Sequence, residues 1–170
     1  MRVLPQNNII LIGMPGCGKS KLGFLLSERL GYGYLDSDNV IVAREGKELS
    51  EIIAEAGTEG FLDIEGKVNS QLCCNRCVIA TGGSVIYRDG AMQQLKKIGK
   101  VVYLKHSYEV IERRLGDLKK RGVALKEGFT LRDLYNERTP LYEKYADVIV
   151  ELTQTTVEDA TEQIVRALKQ

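Results

Sequence analysis

Eight residues near the start of the chain have the spacing of a phosphate-binding loop. They read Gly13-Met14-Pro15-Gly16-Cys17-Gly18-Lys19-Ser20, which fits the pattern G-x-x-x-x-G-K-S. In such a loop backbone N–H groups turn inward around phosphate oxygens, the lysine reaches the β- and γ-phosphates, and the serine hydroxyl ligates Mg²⁺. The motif predicts a nucleoside triphosphate site in which Lys19 is catalytic and Ser20 binds metal. The loop residues predicted to bind the nucleotide are Gly13, Pro15, Gly16, Cys17, Gly18, Lys19 and Ser20.

Two aspartates stand two residues apart in Asp36-Ser37-Asp38, directly after a short apolar run. Because side chains alternate along a strand, both carboxylates point the same way. Beside a phosphate loop, one carboxylate can hold Mg²⁺ and its waters while the other accepts a hydrogen bond from an attacking hydroxyl. We assign Asp36 to the metal and Asp38 to the acceptor alcohol. The alternative is that Asp38 caps a helix beginning at Asn39.

Several arginines are candidates for contacts with anionic groups. Arg121, on a polar segment with several glycines, can close over the β- and γ-phosphates and neutralise charge on the transferring group. Arg113 or Arg114, on the preceding helix, can flank the adenine. Arg138 lies just before Pro140 in a helical stretch, where a kink would turn its guanidinium towards the cleft. The alternative for each is a solvated surface charge.

Short apolar runs alternate with amphipathic stretches along the chain, which is typical of βα units and a parallel sheet. The predicted strands are Asn8–Ile12, Tyr34–Asp36, Val78–Ala80, Val101–Leu104 and Val148–Glu151. The predicted helices are Lys19–Leu30, Asn39–Glu45, Ser50–Ala56, Thr58–Cys73, Ala91–Ile98, Tyr108–Leu115, Leu131–Tyr145 and Val157–Leu168. Residues 117–130 lack clear periodicity and are predicted to form a mobile lid.

Residues that could take part in chemistry lie at the carboxyl ends of the predicted strands. This is the edge at which parallel sheets bind ligands. The phosphate loop follows the first strand, and Asp36-Ser37-Asp38 ends the second. Thr81-Gly82-Gly83-Ser84 follows the third, and its glycines allow a ligand close to the backbone. We expect these strand ends to share one cleft.

The composition is that of an ordinary globular domain. The 170 residues are 44% hydrophobic and 28% charged, which fits a single domain over residues 1–170. A net charge of +1 gives no electrostatic case for nucleic acid or a membrane surface. No stretch approaches a membrane span, and the N-terminus lacks the apolar length of a signal peptide. We therefore expect a cytoplasmic protein.

The cysteines and the single histidine are interpreted as structural. Cys73, Cys74 and Cys77 form a Cys-Cys-x-x-Cys cluster, but no second Cys pair or His pair completes a zinc site. Small apolar residues near the start of a buried strand are the better interpretation. His106 follows the fourth apolar run and is predicted to be a surface residue at a strand end.

Taken together, these motifs resemble those of the shikimate kinase family from the first strand to about Glu151. The order of the motifs and the distances between them carry the resemblance. They are Gly13–Ser20, Asp36 with Asp38, Thr81-Gly82-Gly83, Arg121, and Arg138-Thr139-Pro140-Leu141-Tyr142 with Ala146-Asp147. The resemblance implies a three-layer α/β/α P-loop fold with a five-stranded parallel sheet in the order 2-3-1-4-5. It also implies a helical substrate subdomain over about residues 37–66 and the lid over about 117–130.

The resemblance further implies ATP- and Mg²⁺-dependent phosphorylation of the 3-hydroxyl of shikimate, in aromatic amino-acid biosynthesis, by a monomer. By the same resemblance Asp38 engages the reacting hydroxyl and Arg138 grips the shikimate carboxylate. Arg114 lies along the adenine, and Arg121 closes the lid as a catalytic residue. The substrate-binding positions implied are Asp38, Gly82, Gly83 and Arg138.

Two departures from the family pattern fall on the acceptor side. The family has Phe-Arg-x-x-Glu, whereas this chain reads Phe61-Leu62-Asp63-Ile64-Glu65, so Leu62 replaces a carboxylate-binding arginine. Losing such a charged contact costs roughly 1.5–3 kcal/mol of substrate binding. The family's Gly-Gly-Gly is reduced to Gly82-Gly83-Ser84, whose extra side chain can crowd a ring or offer a hydroxyl.

These departures leave three hypotheses about function. The first is a shikimate kinase with a rearranged clamp that uses Lys67 or Arg88. The second is a kinase of homoserine or another small hydroxy acid, with Asp63 near the substrate ammonium. The third is a nucleotide-binding module without catalysis. The joint presence of five candidate residues argues against it: Lys19, Ser20, Asp38, Arg121 and Arg138.

Overall fold

Five short segments form the sheet, and those at its centre are rich in Val, Ile and Leu, as expected of strands covered on both faces. The computed structural model describes residues 7–116, 123, 125–153 and 156–170. The strands are β1 (Asn8–Ile12), β2 (Gly33–Asp36), β3 (Cys77–Ala80), β4 (Gly99–Lys105) and β5 (Val148–Glu151). They are all parallel, in the order β2-β3-β1-β4-β5. The predicted five-stranded parallel sheet and its order are confirmed.

Helices connect these strands. They are α1 (Lys19–Leu30), α2 (Ser37–Glu45), α3 (Leu49–Ser70), α4 (Asp89–Ile98), α5 (Tyr108–Leu115), α6 (Leu131–Tyr145) and α7 (Val157–Leu168), with a short 3₁₀ turn at Val85–Tyr87. Helix α1 packs against β3 and α7, while α4 packs against α3 and β4. All five residues of β1 are buried, because helices cover the sheet. None of the helices in the described part of the chain is long and apolar enough to cross a membrane.

The structure corrects two helix boundaries. Helix α2 begins at Ser37 rather than Asn39, because Asp36 is its N-cap and accepts a 3.0 Å hydrogen bond from the Asp38 backbone N–H. The alternative that Asp38 caps this helix is therefore wrong. The predicted helices 50–56 and 58–73 appear as α3, whose two parts meet at Gly57 with φ 72° and ψ 174°. Since φ is positive there, glycine is the residue that accommodates this kink.

A small second core lies between α2 and α3, apart from the large core around the sheet. Its buried members are Ile41, Ile52, Phe61, Leu62 and Val68. Leu62 is only 4% exposed and belongs to this core. The predicted substrate subdomain therefore has apolar packing of its own, and the leucine in place of the family arginine contributes to it.

Asn8, the first residue of β1, connects that strand to the chain at the starts of β3 and β4, at the amino-terminal edge of the sheet. Its side-chain amide donates to the carbonyls of Cys74 (2.7 Å) and Ile98 (2.9 Å). Its Oδ1 accepts from the backbone N–H of Cys77 at 2.9 Å. Asn8 is 2% exposed, so no water replaces these partners easily.

We predict that Asn8→Ala lowers the free energy of unfolding by about 2–4 kcal/mol, because it leaves three backbone groups near the starts of β3 and β4 without their partner. Urea denaturation measures the change. Asn75→Ala is the matched control, since Asn75 is exposed and its loss should cost no more than about 0.5 kcal/mol. Equal losses in the two variants would contradict the bridging role of Asn8.

Candidate active site

The phosphate loop lies between β1 and α1, with its backbone held in conformations that favour glycine. Gly13, Gly16 and Gly18 have φ values of 151°, 77° and 92°. A Cβ atom on Gly13 would lie 2.8 Å from the carbonyl oxygen of Leu104, so no side chain fits there. The Lys19 ammonium donates to the carbonyls of Gly13 (2.7 Å) and Met14 (2.9 Å). The loop therefore has the turned backbone and the lysine that the motif requires for phosphate.

The candidate metal ligands are direct neighbours. The Ser20 hydroxyl donates to Oδ2 of Asp36 at 2.8 Å, and Oδ1 of Asp36 holds the start of α2. Hydroxyl and carboxylate oxygens are hard donors that suit Mg²⁺, which completes its shell with water and substrate phosphates. Within the described residues, no cluster of three or more His, Cys, Asp or Glu side chains could hold a metal alone. The donor set therefore fits a magnesium ion that arrives with a nucleotide.

Asp38 lines the cleft, with Oδ1 packed against Gly82. That oxygen is buried and makes no hydrogen bond. Burial, with the negative charge of Asp36, raises the pKa of Asp38 to about 6, although Lys19 lowers it. An oxygen with spare acceptor capacity and a raised proton affinity suits contact with a substrate hydroxyl.

Glu65, on α3, is a second carboxyl in the cleft and is only 1% exposed. Its Oε1 accepts a 2.6 Å hydrogen bond from the Ser84 hydroxyl, while its Oε2 is buried without a partner. Burial raises the pKa of Glu65 to about 7, against the opposing effect of the Ser84 hydrogen bond. Glu65 ends the stretch that corresponds to the family's Phe-Arg-x-x-Glu, but it was given no role of its own from the sequence. That motif and its position on the apolar face of α3, between Phe61 and Val68, are the signals that could have identified it.

Arg138 is fully enclosed on α6, at 1% exposure, and faces the cleft. Its Nε donates to the Tyr87 hydroxyl at 3.3 Å, and its guanidinium lies 5.3 Å from the centre of the Tyr87 ring. Tyr87 in turn donates to Oε2 of Glu137 at 2.9 Å. Helix α6 continues through Pro140. Tyr87 was missed, since nothing in the sequence pattern connects it to Arg138.

These groups surround one cleft of about 540 Å³ at the carboxyl ends of the strands. Of the residues predicted for the site, those that line it are Pro15, Gly16, Gly18, Lys19, Ser20, Asp38, Gly82, Gly83 and Arg138. Glu65 and Ser84 line it as well. The structure thus brings the phosphate loop, the second strand end and the third strand end together in one place.

Arg114 lies beside the phosphate loop. Its Nη1 is 3.4 Å from the Gly16 carbonyl oxygen and 3.3 Å from Nε2 of His106. With Cys17 and Leu152 it lines a hollow of about 190 Å³ next to the loop. This hollow adjoins the phosphate site, as a base-binding hollow must.

Two expectations about the surroundings need correction. His106 is buried (7% exposed), with Nε2 3.3 Å from the Cys17 carbonyl oxygen, so the prediction of a surface residue is wrong. The end of β4 lies beneath the phosphate loop, which covers the ring. Arg121 lies outside the described residues.

The substitutes considered for the missing family arginine are not at the cleft. Arg88 forms ion pairs with Glu59 (2.9 Å) and Asp63 (2.9 Å), and all three stand apart from the cleft lining. Lys67 is exposed and is also absent from the lining. Among the described residues that line the cleft, Arg138 carries the only guanidinium.

Comparison with known proteins identifies the family. A family model described as shikimate kinase matches residues 15–169. The chain belongs to the shikimate kinase family. It is 38% identical to a shikimate kinase of Thermodesulfovibrio yellowstonii over 164 residues, which cover 95% of this chain and 94% of that one. A Pseudomonas aeruginosa shikimate kinase is also 38% identical, over 165 residues that cover 95% and 96% of the two chains.

A solved member of the family agrees with the fold. The structure of the Acinetobacter baumannii shikimate kinase in complex with shikimate matches with a TM-score of 0.88 and 34% identity. The match covers 96% of this chain and 93% of that one. Membership in the family makes this chain an ATP-dependent kinase that phosphorylates a hydroxyl.

The raised pKa of Glu65 predicts how its neutral isostere changes stability with pH. Below pH 4.5 the carboxyl is protonated in both states, and its favourable burial is fully present. Between pH 4.5 and 7 the unfolded chain loses the proton while the folded chain keeps it, so wild-type stability falls. We therefore expect Glu65→Gln to equal wild type at the acid end and to be roughly 1–3 kcal/mol more stable above pH 7.

Urea unfolding of both proteins, from below pH 4.5 to above pH 7, measures this difference. Glu55→Gln is the comparison variant on the same helix, because Glu55 is exposed and pairs with Lys47 at the surface, so it reports the loss of a surface carboxylate rather than a buried one. A difference between Glu65→Gln and wild type that does not change with pH would show that burial does not perturb the Glu65 carboxyl.

Proposed function

We propose that this chain transfers the γ-phosphoryl group of Mg-ATP to the 3-hydroxyl of shikimate, giving shikimate 3-phosphate for aromatic amino-acid biosynthesis. The observation that carries the proposal is the single cleft in which Lys19, Asp38 and Arg138 meet. Family membership supports the reaction, and the solved relative bound to shikimate supports the acceptor.

On the nucleotide side, the phosphate loop binds the β- and γ-phosphates through its backbone N–H groups. Lys19 hydrogen-bonds to the Gly13 and Met14 carbonyls and contacts the Cys17 sulfur, all within the loop, and can turn its ammonium to the phosphates. Ser20 and Asp36 would hold the Mg²⁺ that accompanies ATP, and the ion would neutralise charge on the phosphate oxygens. Arg114 flanks the base, and Arg121 remains a prediction for the lid.

On the acceptor side, Asp38 accepts the hydrogen bond of the reacting hydroxyl and directs its lone pair towards the γ-phosphorus. Phosphoryl transfer has a loose transition state, so positioning and charge stabilisation contribute more than strong base catalysis. Gly82 and Gly83 let the substrate approach the backbone. A Cβ atom on Gly83 would lie 2.9 Å from Nη1 of Arg138, where the substrate carboxylate must come.

Arg138 binds the substrate carboxylate as the sole guanidinium among the described residues of the cleft. The Tyr87 hydroxyl and ring hold it from one side, which reduces the side-chain entropy lost on binding. The homoserine hypothesis requires Asp63 to bind the substrate ammonium. Asp63 is instead paired with Arg88 on the exposed surface. Shikimate is therefore the better-supported acceptor.

We further propose that the protein acts as a monomer in the cytoplasm, without nucleic acid or membrane partners. The family resemblance favours a monomer, and the net charge of +1 favours no polyanionic partner. Light scattering after size exclusion, with and without Mg-ATP and shikimate, tests the monomer.

The deciding assay is ADP release from Mg-ATP with shikimate or homoserine at matched concentrations. We expect a shikimate-dependent rate in the usual kinase range of about 1–100 s⁻¹ and no rate with homoserine. A rate with homoserine alone would replace the proposed acceptor. No rate with either would indicate a nucleotide-binding module.

We predict that Asp38→Asn lowers kcat by at least about 100-fold, because the amide cannot accept the hydroxyl proton or orient the hydroxyl in the same way. The dissociation constant for Mg-ATP should change less than about threefold, since Asp38 contacts the acceptor. Single-turnover rates and nucleotide titration measure the two effects. A retained kcat would remove Asp38 from the mechanism.

We predict that Arg138→Lys raises the KM for shikimate about 10- to 100-fold, because lysine keeps the charge but loses the planar fork. The KM for ATP should stay nearly constant. Arg88→Lys is the matched control and should leave both values unchanged, since Arg88 lies outside the cleft. An equal rise of both KM values in Arg138→Lys would point to a general loss of structure.

A further inference from the structure

Tyr87 joins the guanidinium of Arg138 to a carboxylate outside the cleft. Its hydroxyl accepts from Nε of Arg138 at 3.3 Å and donates to Oε2 of Glu137 at 2.9 Å. The other oxygen of Glu137 accepts a 2.6 Å hydrogen bond from the ammonium of Lys126. Tyr87, Glu137 and Lys126 line a separate hollow of about 250 Å³, which Leu62 also lines. A continuous chain of polar contacts therefore runs from Lys126 to Arg138.

The protonation of these groups fixes the direction of each hydrogen bond. The pKa of Tyr87 lies above its ordinary value, mainly because of burial, so the phenol keeps its proton near neutral pH. Burial acts to raise the pKa of Glu137, but hydrogen bonds from Lys126 and Tyr87 hold it below its ordinary value. This carboxylate is therefore charged and can only accept. The phenol proton is committed to Glu137, which leaves an oxygen lone pair facing Nε of Arg138.

The other end of the guanidinium lies against the cleft wall. A Cβ atom on Gly83 would lie 2.9 Å from Nη1 of Arg138, so this nitrogen is next to the Gly83 backbone. Tyr142, one turn further along α6, also hydrogen-bonds the guanidinium and donates to the Gly83 carbonyl at 2.6 Å. Because Tyr87 engages Nε, a ligand carboxylate in the cleft meets the Nη end of Arg138.

The orientation of one guanidinium matters more in a site that lacks a second arginine. Leu62 is buried in the second core and brings no charge. Fixing Arg138 before binding reduces the entropy lost when a carboxylate binds. We propose that Tyr87 is a positioning residue for the acceptor: its hydroxyl, oriented by Glu137, holds the Arg138 guanidinium with the Nη end towards the substrate carboxylate. Arg138 binds that carboxylate in the function proposed above, on which this inference rests.

Tyr87→Phe tests this role, because it removes the hydroxyl and keeps the ring that lies 5.3 Å from the guanidinium. The KM for shikimate should rise about 3- to 10-fold, as expected for the loss of a hydrogen bond to a charged group. The kcat and the KM for ATP should stay within about twofold, since the phosphate loop and Asp38 are unchanged. Tyr108→Phe is the matched control, because it removes an exposed tyrosine–glutamate hydrogen bond (3.0 Å to Glu112) and should change none of these values.

A double-mutant cycle connects Tyr87 to Glu137. Glu137→Leu leaves the phenol without its acceptor and should raise the KM for shikimate about 3- to 10-fold. In the Tyr87→Phe background the same change should alter this KM less than about twofold, because no phenol is left to orient. Glu137→Gln should stay within about threefold of wild type, since its amide oxygen can still accept from Tyr87. If Glu137 acted on the acceptor through its charge, both changes at Glu137 would act alike, with or without the Tyr87 hydroxyl.

A second cycle connects Tyr87 to Arg138. In the Arg138→Lys background, which has no Nε donor, Tyr87→Phe should raise the KM for shikimate less than about twofold. Additive effects in either cycle overturn the inference, as does an unchanged KM for shikimate in Tyr87→Phe alone. A fall in kcat with a parallel rise of both KM values would show a purely structural role and overturn it as well.

The wild-type enzyme separates failure of this inference from failure of the proposed function. If wild type releases no ADP in response to shikimate, the proposed function fails. If wild type turns over shikimate and the two cycles are additive, the function stands and the positioning role of Tyr87 is wrong.

Discussion

The parallel pairing of β3 between β1 and β2 is the constraint on which the cleft depends. The strand register pairs Ala80 of β3 with Leu11 of β1 and with Asp36 of β2. The carboxyl ends of these three strands therefore lie side by side at the same edge of the sheet. Thr81 stabilises this alignment of β3 with β1, because its backbone N–H (3.2 Å) and hydroxyl (2.8 Å) both donate to the Leu11 carbonyl. The phosphate loop, the aspartate pair and the Gly82-Gly83 backbone therefore face one another as a consequence of strand pairing.

Within that frame, the acceptor site concentrates charge where burial makes charge expensive. Asp38 and Glu65 have raised pKa values, with burial as the main cause, and Arg138 is enclosed almost completely. A neutral side chain at Glu65 would make the fold more stable near neutral pH. The protein keeps the carboxyl despite that cost, which is the pattern expected where binding and stability conflict.

The sequence was sufficient for features that depend on neighbouring residues. The five strands, the phosphate loop and the two parts of α3 on either side of Gly57 follow from local apolar patterns and glycine positions. The burial of His106 and the contacts Glu65–Ser84 and Tyr87–Arg138 did not follow. The two contacts join residues 19 and 51 positions apart, and only the packing of α3 and α6 against the turn after β3 creates them.

Leu62, in place of the family arginine, changes the packing between α2 and α3 as well as the contacts to the acceptor site. An arginine there would bring a charge beside Phe61 and next to the small core of α2 and α3, whereas Leu62 completes that core. Glu65, one helical turn further along, is held instead by a hydroxyl from the third strand end. If Arg138 binds the acceptor carboxylate as proposed, it does so as the one guanidinium among the described residues of the cleft. The position that a second arginine would occupy contributes instead to the packing of α2 against α3, so one substitution exchanges a charged contact for apolar burial.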